Sequence, residues 1–374
     1  MIMIKPKKVI LGMSGGVDSS VSAYLLLKNK YIVEGVFMKN WEEDDKFNYC
    51  SALEDLNDAR NVCKFLGIHL HEINFSHEYW NYVFKDFISV HKKGNTPNPD
   101  ILCNQKIKFG VFFDFSMKQL NSDYIATGHY AQISYFNHKP MLLRSTDLLK
   151  DQTYFLYTLK HYQLKKILFP IGHLKKYEVR NIAKKINLLN SQKKDSFGIC
   201  FIGPRKMSNF LNRFIRSLPG NIVTIHGYII GIHTGLVNYT IGQRKGLGIG
   251  GKNDKKLLPW YVMKKNLFKN SLIVVQGHQN NKLFSIGLIA RNVNWINKDN
   301  VLDIFKCTLK TRYRQKDISC KITLLNLRSV KAIFSQPVSS VTIGQSVVFY
   351  QYDICLGGGI ITSSIPYYPD SKID

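Results

Sequence analysis

The chain has 374 residues, more than one hydrophobic core usually organises, so two or three domains are expected. Lysine and arginine number 52 against 26 acidic residues, which gives a formal net charge of +26. This charge predicts attraction to a polyanion such as nucleic acid. Codon composition can produce the same excess of basic residues in a chain this rich in asparagine and isoleucine. No segment approaches the roughly 20 apolar residues of a membrane span, and the amino terminus lacks a secretory pattern, so a cytoplasmic protein without a membrane partner is expected.

The first half of the chain alternates apolar runs with helical patterns, which is typical of a doubly wound α/β fold. The pattern predicts strands over residues 7–13, 31–38, 68–75 and 123–133, and helices over residues 18–30 and 50–67. The last of these strands ends in a polar turn at Thr127, Gly128 and His129.

The pattern changes near residue 205. Residues 205–218 predict a basic amphipathic helix, which Pro219 and Gly220 follow. A strand-rich and turn-rich stretch then continues to about residue 282. Short β-like runs separated by turns make up the remainder and predict a small barrel or sandwich.

The strongest local signal is LGMSGGVDSSVS, residues 11–22, between the first predicted strand and helix. Gly15 and Gly16 let backbone N–H groups approach an anion, and the positive end of the helix dipole faces the same place. No lysine follows the glycines, so the loop lacks the group that reaches the β- and γ-phosphates in kinase-like sites. The S-G-G-x-D-S form resembles the loop of enzymes that cleave ATP between its α- and β-phosphates; the competing interpretation is a plain turn.

The segment TPNPDILCN, residues 96–104, places a cysteine among turn-forming residues. Pro97 and Pro99 lack backbone donors and restrict the residues before them, so we expect an irregular, exposed segment rather than helix or strand. A solvent-facing Cys103 is then either incidental or reactive. Asp100 shares this loop, where it can act as a general acid or base or can simply form the turn beside Pro99.

Cys200 follows a polar, glycine-containing turn, and Lys193 and Lys194 precede it as Lys106 follows Cys103. Nearby lysines favour thiolate over thiol, so two such cysteines can carry out exchange chemistry, although the sequence alone does not bring them together. The seven cysteines contain no C-x-x-C pair, which argues against a disulfide framework or zinc ribbon and favours a reducing compartment. The others are interpreted as inert: Cys50, Cys63, Cys307, Cys320 and Cys355.

A series of motifs along the chain resembles, in order, those of the bacterial tRNA-specific 2-thiouridylases. They are GMSGGVDSSVSA, FMKNWEEDD, TPNPDILCN, DYIATGHY, KDQTYFLYTL, DSFGICFIG, GQRKGLGIGG, KTRYRQ and CLGGGII. The similarity covers essentially the whole chain, whereas related adenylating enzymes share only the first motif. It implies an adenine-nucleotide α-hydrolase-like domain over residues 1–205, a small central tRNA-binding domain over residues 206–282 and a C-terminal β-barrel over residues 283–374.

The resemblance also implies a reaction. The family uses ATP and Mg²⁺ to adenylate the C2 oxygen of the wobble uridine in tRNA-Lys, tRNA-Glu and tRNA-Gln, and then replaces that oxygen with sulfur. By this pattern Cys200 takes sulfur as a persulfide from a cysteine desulfurase or sulfur-relay carrier, Cys103 is the catalytic nucleophile and Asp100 is the acid or base. Cys103 either releases sulfide from the persulfide or resolves it as a disulfide with Cys200, and it would be exposed so that a flipped-out base and the persulfide both reach it.

The remaining site residues follow from the same resemblance. The implied ATP-binding positions are Gly12, Met13, Ser14, Gly15, Gly16, Val17, Asp18, Ser19, Met38 and Gly128. Asn98, Pro99 and Asp100 match the segment that contacts the target base; Lys150, Asp151, Gln152, Arg312 and Tyr313 match tRNA-contacting positions, and His129 and Gln345 match positions important for tRNA recognition. No protein side chain is expected to bind a metal, and His69, His71 and His77 are interpreted as surface histidines. Phe197 departs from the small polar residue usual there, which puts persulfide delivery in doubt.

Two other functions fit parts of the sequence. A ligase of the same adenylating group that delivers nitrogen to a carbonyl would use the phosphate loop but would leave Cys103 and Cys200 without a role. A nucleic-acid-binding module without chemistry would use the charge, with salt-dependent tRNA binding and no ATP turnover, but would gain nothing from a pyrophosphate loop.

Overall fold

The computed structural model describes residues 6–42, 51–195, 207–249, 258–297 and 302–369. Its first sheet is fully parallel, with the strand order β3-β2-β1-β4-β7. The strands of this part of the chain are β1 Lys8–Gly12, β2 Ile32–Lys39, β3 His69–Asn74, β4 Tyr124–Ala126, β5 Ala131–Phe136, β6 Lys139–Arg144 and β7 Ile167–Leu168. Strands β5 and β6 form a hairpin outside the parallel sheet. The predicted strands over residues 7–13, 31–38 and 68–75 are confirmed, but the strand over residues 123–133 is two strands in different sheets.

Helices cover both faces of the parallel sheet. They are α1 Val17–Lys28, α2 Ser51–Leu66, α3 Ser76–Tyr79, α4 Lys85–Lys92, α5 Pro99–Leu102, α6 Phe112–Lys118, α7 His161–Leu164 and α8 Lys176–Lys185, with π-helical segments at Trp80–Phe84 and Cys103–Val111. Successive residues of β1 face opposite sides, as strand geometry requires: Val9 and Leu11 pack with α1, α2 and α8, whereas Ile10 packs with the π-helical side. The doubly wound α/β fold and both predicted helices are confirmed.

The middle of the chain forms a small four-stranded sheet with the order β10-β11-β8-β9. It follows α9, Met207–Leu211, and consists of β8 Gly220–Thr224, β9 Ile229–His233, β10 Trp260–Asn266 and β11 Ser271–Gln276. The predicted helix over residues 205–218 is wrong in length. After Leu211 the chain turns so that Phe214 packs 4.8 Å from the Phe84 ring, which buries the apolar residues without another helical turn.

The last part of the chain is a closed six-stranded barrel. Its strands are β12 Phe284–Trp295, β13 Ile304–Lys310, β14 Ile318–Asn326, β15 Ser329–Ser339, β16 Ser346–Gln351 and β17 Ile354–Pro366, and pairing of β12 with β17 closes it. Leu288, Ile322 and Phe349 lie in its interior. Strand β6 pairs with β17 beyond the closure, so the β5–β6 hairpin joins the barrel to the nucleotide-binding half. The predicted C-terminal barrel is confirmed.

Two further observations bear on the sequence predictions. Within the described residues, none of the helices has both the length and the apolar character needed to cross a membrane. In the same residues no three metal-ligating side chains cluster, and His71 Nε2 lies 2.7 Å from a carboxylate oxygen of Glu34, an acidic partner that sequence spacing did not indicate.

Candidate active site

The phosphate loop joins the end of β1 to the start of α1. Gly16 is the N-cap of α1 and has no side chain to accept from the first helical N–H groups, so these donors are available to an anion. The Ser19 hydroxyl donates to the Gly16 carbonyl at 2.9 Å and accepts from the Ser14 N–H at 3.3 Å. Gly15 has φ +71°, and a Cβ there would overlap the Asp55 carbonyl oxygen. These features fit a tightly wound cradle for phosphates.

Two residues that are distant in sequence form hydrogen bonds that fix this loop. The Asn190 Nδ2 donates to the Gly15 carbonyl and to the Ser20 Oγ, both at 2.9 Å, and Asn190 is buried. The Tyr130 hydroxyl donates to Asp18 at 2.9 Å. The loop is therefore fixed by groups that follow it by more than a hundred residues.

A lysine that the loop itself lacks reaches it from α8. Lys176 Nζ lies 2.8 Å from Asp18 and 2.7 Å from Asp195. Lys150 and Arg180 also pair with Asp195, at 2.8 and 3.1 Å. Partial burial raises the pKa of Asp195, but hydrogen bonds from Lys150 and Lys176 outweigh it and lower that pKa to about 2, so Asp195 stays ionised. The result is a cationic rim beside the phosphate loop.

Residues 128 and 129 connect the phosphate loop to the helix that carries Cys103. A Cβ on Gly128 would lie 2.9 Å from the Asp18 carbonyl carbon and the Ser19 nitrogen, so only glycine allows this approach. His129 Nε2 lies 3.5 Å from Lys108 Nζ, and His129 Nδ1 lies 2.7 Å from the Thr127 hydroxyl.

Burial holds the pKa of His129 well below its usual value, and the charge of Lys108 lowers it further, so the imidazole is neutral. Because a lysine ammonium only donates, the geometry assigns Nε2 as the acceptor and Nδ1–H as the donor to Thr127.

The segment that carries Asp100 and Cys103 is helical, so the expectation of an irregular segment is wrong. Asn98 is the N-cap of α5, and its Oδ1 accepts from the Ile101 N–H at 3.4 Å. Pro99 occupies the first turn, where its missing N–H costs no helical hydrogen bond. Cys103 begins the following π-helical segment and is only 4% exposed, so the expectation of a solvent-facing Cys103 is also wrong.

Asp100 lies half-buried one turn before Cys103. Burial raises the pKa of its carboxyl group, and the positive charge of Lys108 partly opposes the rise. A carboxyl group in this environment is better suited to accept and return a proton near neutral pH than an exposed one. Cys200 and Phe197, the other positions of the predicted sulfur chemistry, lie outside the described residues.

The structure places the predicted tRNA-contacting residues in two groups. Lys150, Asp151 and Gln152 lie beside the cationic rim. Asp151 is buried, and it accepts from the Thr153 hydroxyl at 2.7 Å and from the Ser145 N–H at 3.1 Å. The Gln152 Oε1 accepts from the Tyr130 N–H at 2.9 Å. In the protein without tRNA, the side chains of Asp151 and Gln152 thus form hydrogen bonds that stabilise the neighbouring protein backbone.

The second group lies where the barrel meets the other two parts of the chain. Arg312 Nη2 donates to the Ser340 carbonyl at 2.6 Å, and Tyr313 Oη donates to the Lys150 carbonyl at 3.4 Å. The Gln345 Nε2 donates to the carbonyl of Thr96 at 2.8 Å, just before the Cys103 helix. The two predicted ATP-binding methionines lie in different core clusters: Met38 Cε would lie 3.3 Å from a Cβ on Gly12, and Met13 is buried in the cluster that β1 forms with α1, α2 and α8.

Sequence reasoning missed four residues of the site: Lys108, Tyr130, Lys176 and Asn190. Lys108, Lys176 and Asn190 lie in none of the quoted motifs and reach the site through tertiary folding, whereas Tyr130 closes the quoted motif DYIATGHY and was available as a signal. Asp195 was available in the same way, because it opens the quoted motif DSFGICFIG.

The comparisons with known proteins agree along the whole chain. Residues 7–204 match the family model described as the tRNA methyl transferase HUP domain, residues 208–276 the tRNA methyl transferase PRC-barrel domain, and residues 285–361 the aminomethyltransferase beta-barrel domain.

Curated relatives carry a more specific name. A protein of Buchnera aphidicola subsp. Acyrthosiphon pisum named tRNA-specific 2-thiouridylase MnmA is 61% identical over 366 residues, which cover 98% of this chain and 100% of that protein. Proteins of the same name from Proteus mirabilis and Salmonella typhimurium are each 55% identical, over 96% of this chain and 98% of theirs. This chain belongs to the family of tRNA-specific 2-thiouridylases.

Proposed function

We propose that the protein catalyses ATP-dependent 2-thiolation of the wobble uridine in tRNA-Lys, tRNA-Glu and tRNA-Gln. The uridine C2 oxygen attacks the α-phosphate of ATP, a C2–O–AMP bond forms and pyrophosphate leaves. A sulfur nucleophile then adds to C2, the C2–O bond breaks and AMP leaves with the oxygen. The single observation that carries this proposal is the placement of Gly128 and His129, which contact both the phosphate loop and the helix of Cys103 and Asp100.

The phosphate loop supports the first half of the reaction. The N–H groups at the start of α1 and the Lys176 ammonium suit the β- and γ-phosphates, which leave together as pyrophosphate. Mg²⁺ fits best as an ion that arrives bound to ATP, because the described residues contain no cluster of three metal ligands. It would supply charge compensation for the departing pyrophosphate, with Asp18 and Asp195 as the nearest carboxylates of the loop and rim.

The cysteines support the second half. We propose that a donor protein loads Cys200 with a persulfide. In one route Cys103 attacks the Cys200 sulfur, the bond to the outer sulfur breaks, and the released sulfide adds to C2. In the other route the outer sulfur adds to C2 first, and Cys103 then attacks the Cys200 sulfur, so that the same S–S bond breaks and the thiolated uridine is released. Both routes leave a Cys103–Cys200 disulfide, because the two thiolates give the electrons that reduce the transferred sulfur, and an external thiol must then restore them. Asp100 moves the proton at the target base. Since Cys103 is buried in the protein alone, binding of tRNA or of the donor must open a path to it.

The tRNA is proposed to lie across all three parts of the chain, which we divide at residues 205/206 and 282/283. The net charge of +26 favours the phosphate backbone, and Lys150 and Arg312 are the candidate cationic contacts. His129 and Gln345 then act near the target base, and Asn98 to Asp100 contact it.

The test is thiolation of an unmodified tRNA-Lys transcript by the purified protein with ATP, Mg²⁺ and a persulfide source. We expect sulfur incorporation and AMP release by the wild type, and loss of sulfur incorporation with Cys103→Ser and with Cys200→Ser. Cys307→Ser is the matched control, since Cys307 lies in the barrel strand β13 and should leave the rate unchanged.

The product distinguishes the competing functions. Thiolation changes the mass of the nucleoside by the difference between sulfur and oxygen, whereas the methyl transfer named in two of the family models would add one methylene. AMP formation without sulfur in the RNA would retain the adenylating domain and reject the product. Salt-sensitive tRNA binding without AMP formation would leave only a binding module.

A further inference from the structure

We propose that the middle sheet with its connections and the barrel act as a clamp on the catalytic helix, by which we mean α5 and the π-helical segment Cys103–Val111 that follows it. Gln345 and Thr240 are the positioning residues of this clamp. The clamped segment consists of residues 94–98, between α4 and α5, and ends at Asn98, the N-cap of α5. The inference deepens the proposed function, on which its activity readout rests.

Contacts from the barrel hold the segment along its backbone. The Gln345 Nε2 donates to the carbonyls of Thr96 at 2.8 Å and Pro97 at 3.2 Å, and the Thr96 N–H donates to the Ile343 carbonyl at 3.3 Å. Gly344, with φ +90°, packs so closely that a Cβ there would lie 2.9 Å from Asn95 Cβ. Three consecutive barrel residues thus grip the segment.

Residues in the connections before and after β10 of the middle sheet complete the clamp. The hydroxyl oxygens of Thr240 and Thr96 lie 3.3 Å apart, and the Leu267 side chain lies against Gly94. Arg312 connects the two parts of the clamp, because its Nη2 lies 3.4 Å from the Ile241 carbonyl of the middle part and 2.6 Å from the Ser340 carbonyl of the barrel. The middle sheet and the barrel therefore hold the segment as a connected unit.

The backbone of the segment is restricted, so a displacement of the segment also displaces Asp100 and Cys103. Pro97 and Pro99 have fixed φ, and each restricts the residue before it to extended backbone; Asn98 is extended, at φ −119° and ψ 95°. Asn98 then caps α5 directly. Because catalysis depends on placement within about an ångström, a small displacement of the clamp is expected to reach the reacting groups as a loss of rate.

This interpretation gives Gln345 a positioning role in addition to its proposed place near the target base. Its amide nitrogen donates to two backbone carbonyls of the protein. A tRNA that binds the middle sheet and the barrel would move these two parts of the clamp relative to each other. The segment would then move with them and displace the catalytic helix.

The first test measures hydrogen–deuterium exchange in the full-length protein without substrates, so its outcome does not depend on the reaction assigned. Gln345→Ala is expected to speed exchange in the peptide that covers residues 96–104 about tenfold, while the peptide that covers the phosphate loop is unchanged. Gln351→Ala, at an exposed position at the end of β16, is the matched control and should change neither peptide. Unchanged exchange at residues 96–104 in Gln345→Ala would overturn the clamp.

The second test separates positioning from RNA binding. For Gln345→Ala, the single-turnover thiolation rate at saturating tRNA is expected to fall about tenfold while the Kd for tRNA stays at the wild-type value. A raised Kd with a wild-type rate would make Gln345 an RNA contact and would overturn the proposal. Absence of thiolation by the wild type would count against the proposed function alone.

Thr240 provides a variant that does not depend on the stability of Gln345→Ala. Thr240→Val keeps the shape of the side chain but removes the hydroxyl, and a fall in rate of about threefold is expected, with Thr240→Ser restoring the wild-type rate. Equal rates for Val and Ser would contradict the hydroxyl contact from the middle sheet.

Discussion

The phosphate loop and the segment that leads to Cys103 belong to one candidate site, but different parts of the molecule hold them. The loop is closed by hydrogen bonds among Ser14, Gly16 and Ser19, and its long-range supports come from the same α/β domain. The segment before Cys103 depends on Thr240 and Gln345, which follow it by 144 and 249 positions in its hydrogen bonds. Under the proposed function, nucleotide binding would thus be a property of one domain, whereas contacts from all three parts of the chain hold the segment before Cys103.

This contrast predicts two classes of variant. Changes within the loop should impair ATP binding whatever the positions of the middle sheet and the barrel. Changes in the segment or its clamp should leave ATP binding intact and reduce only the transfer of sulfur.

The largest effect is expected from Gly15→Ala. Its φ of +71° strains a non-glycine residue by about 1–3 kcal/mol, and the added Cβ meets the Asp55 carbonyl oxygen, so ATP affinity should fall by about tenfold to a hundredfold. Equilibrium binding of ATP measures this. Gly67→Ala is the control, because φ is +67° there but no atom lies within 4 Å of the added Cβ. Equal affinities in the two variants would show that the loop does not need its tight fit to Asp55.

Asn190→Ala should have the next largest effect. It leaves the Gly15 carbonyl without its buried donor, so we expect a loss of about 1–3 kcal/mol in the free energy of unfolding together with weaker ATP binding. Urea denaturation and ATP titration give the two values. Asn181→Ala, at an exposed position of α8, should change neither, and a matching loss there would remove the special role of Asn190.

Asn98 tests the catalytic side of the comparison. Asn98→Ala removes the cap of α5, at a cost of about 0.5–2 kcal/mol, and should slow thiolation by up to about tenfold while ATP binding is unchanged. Asn98→Asp keeps a capping oxygen and should retain most of the rate. If the amide N–H of Asn98 contacts the target base instead, both variants will be equally slow.

The smallest effect is expected from replacing Lys265, which lies on β10 two residues before Leu267, the residue that contacts Gly94. Burial lowers the pKa of Lys265 to about 8, so the folded state is penalised at pH 7 and the penalty is relieved as the pH rises from about 8 towards the unfolded value. Lys265→Met should therefore stabilise the protein at pH 7, on the order of 1 kcal/mol, and this gain should shrink by pH 10.

Thermal denaturation at the two pH values provides the measurement. Lys264→Met is the control, because Lys264 is exposed and should leave the stability nearly unchanged at both. A stabilisation by Lys265→Met that does not depend on pH would mean that packing, rather than the buried charge, is responsible.

The sequence by itself determined the parts that depend on neighbouring residues. The apolar runs of β1 and β2, the glycines of the phosphate loop and the start of α1 lie within a few positions of one another, and periodicity and turn chemistry are sufficient to identify them. The ordered motifs identified the family for the same reason, since each is a short run of residues.

Tertiary structure alone decided what surrounds those parts. Two prolines near Cys103 predicted an irregular, exposed segment, yet Asn98 and Pro99 begin a helix there and Cys103 is buried, because capping and packing outweigh a local turn preference. Lys176 and Asn190 carry no local signal at the phosphate loop, and the resemblance that indicated Gln345 did not indicate its contact with the backbone of Thr96. Their positions follow from chain folding over more than a hundred residues, which short-range spacing does not encode.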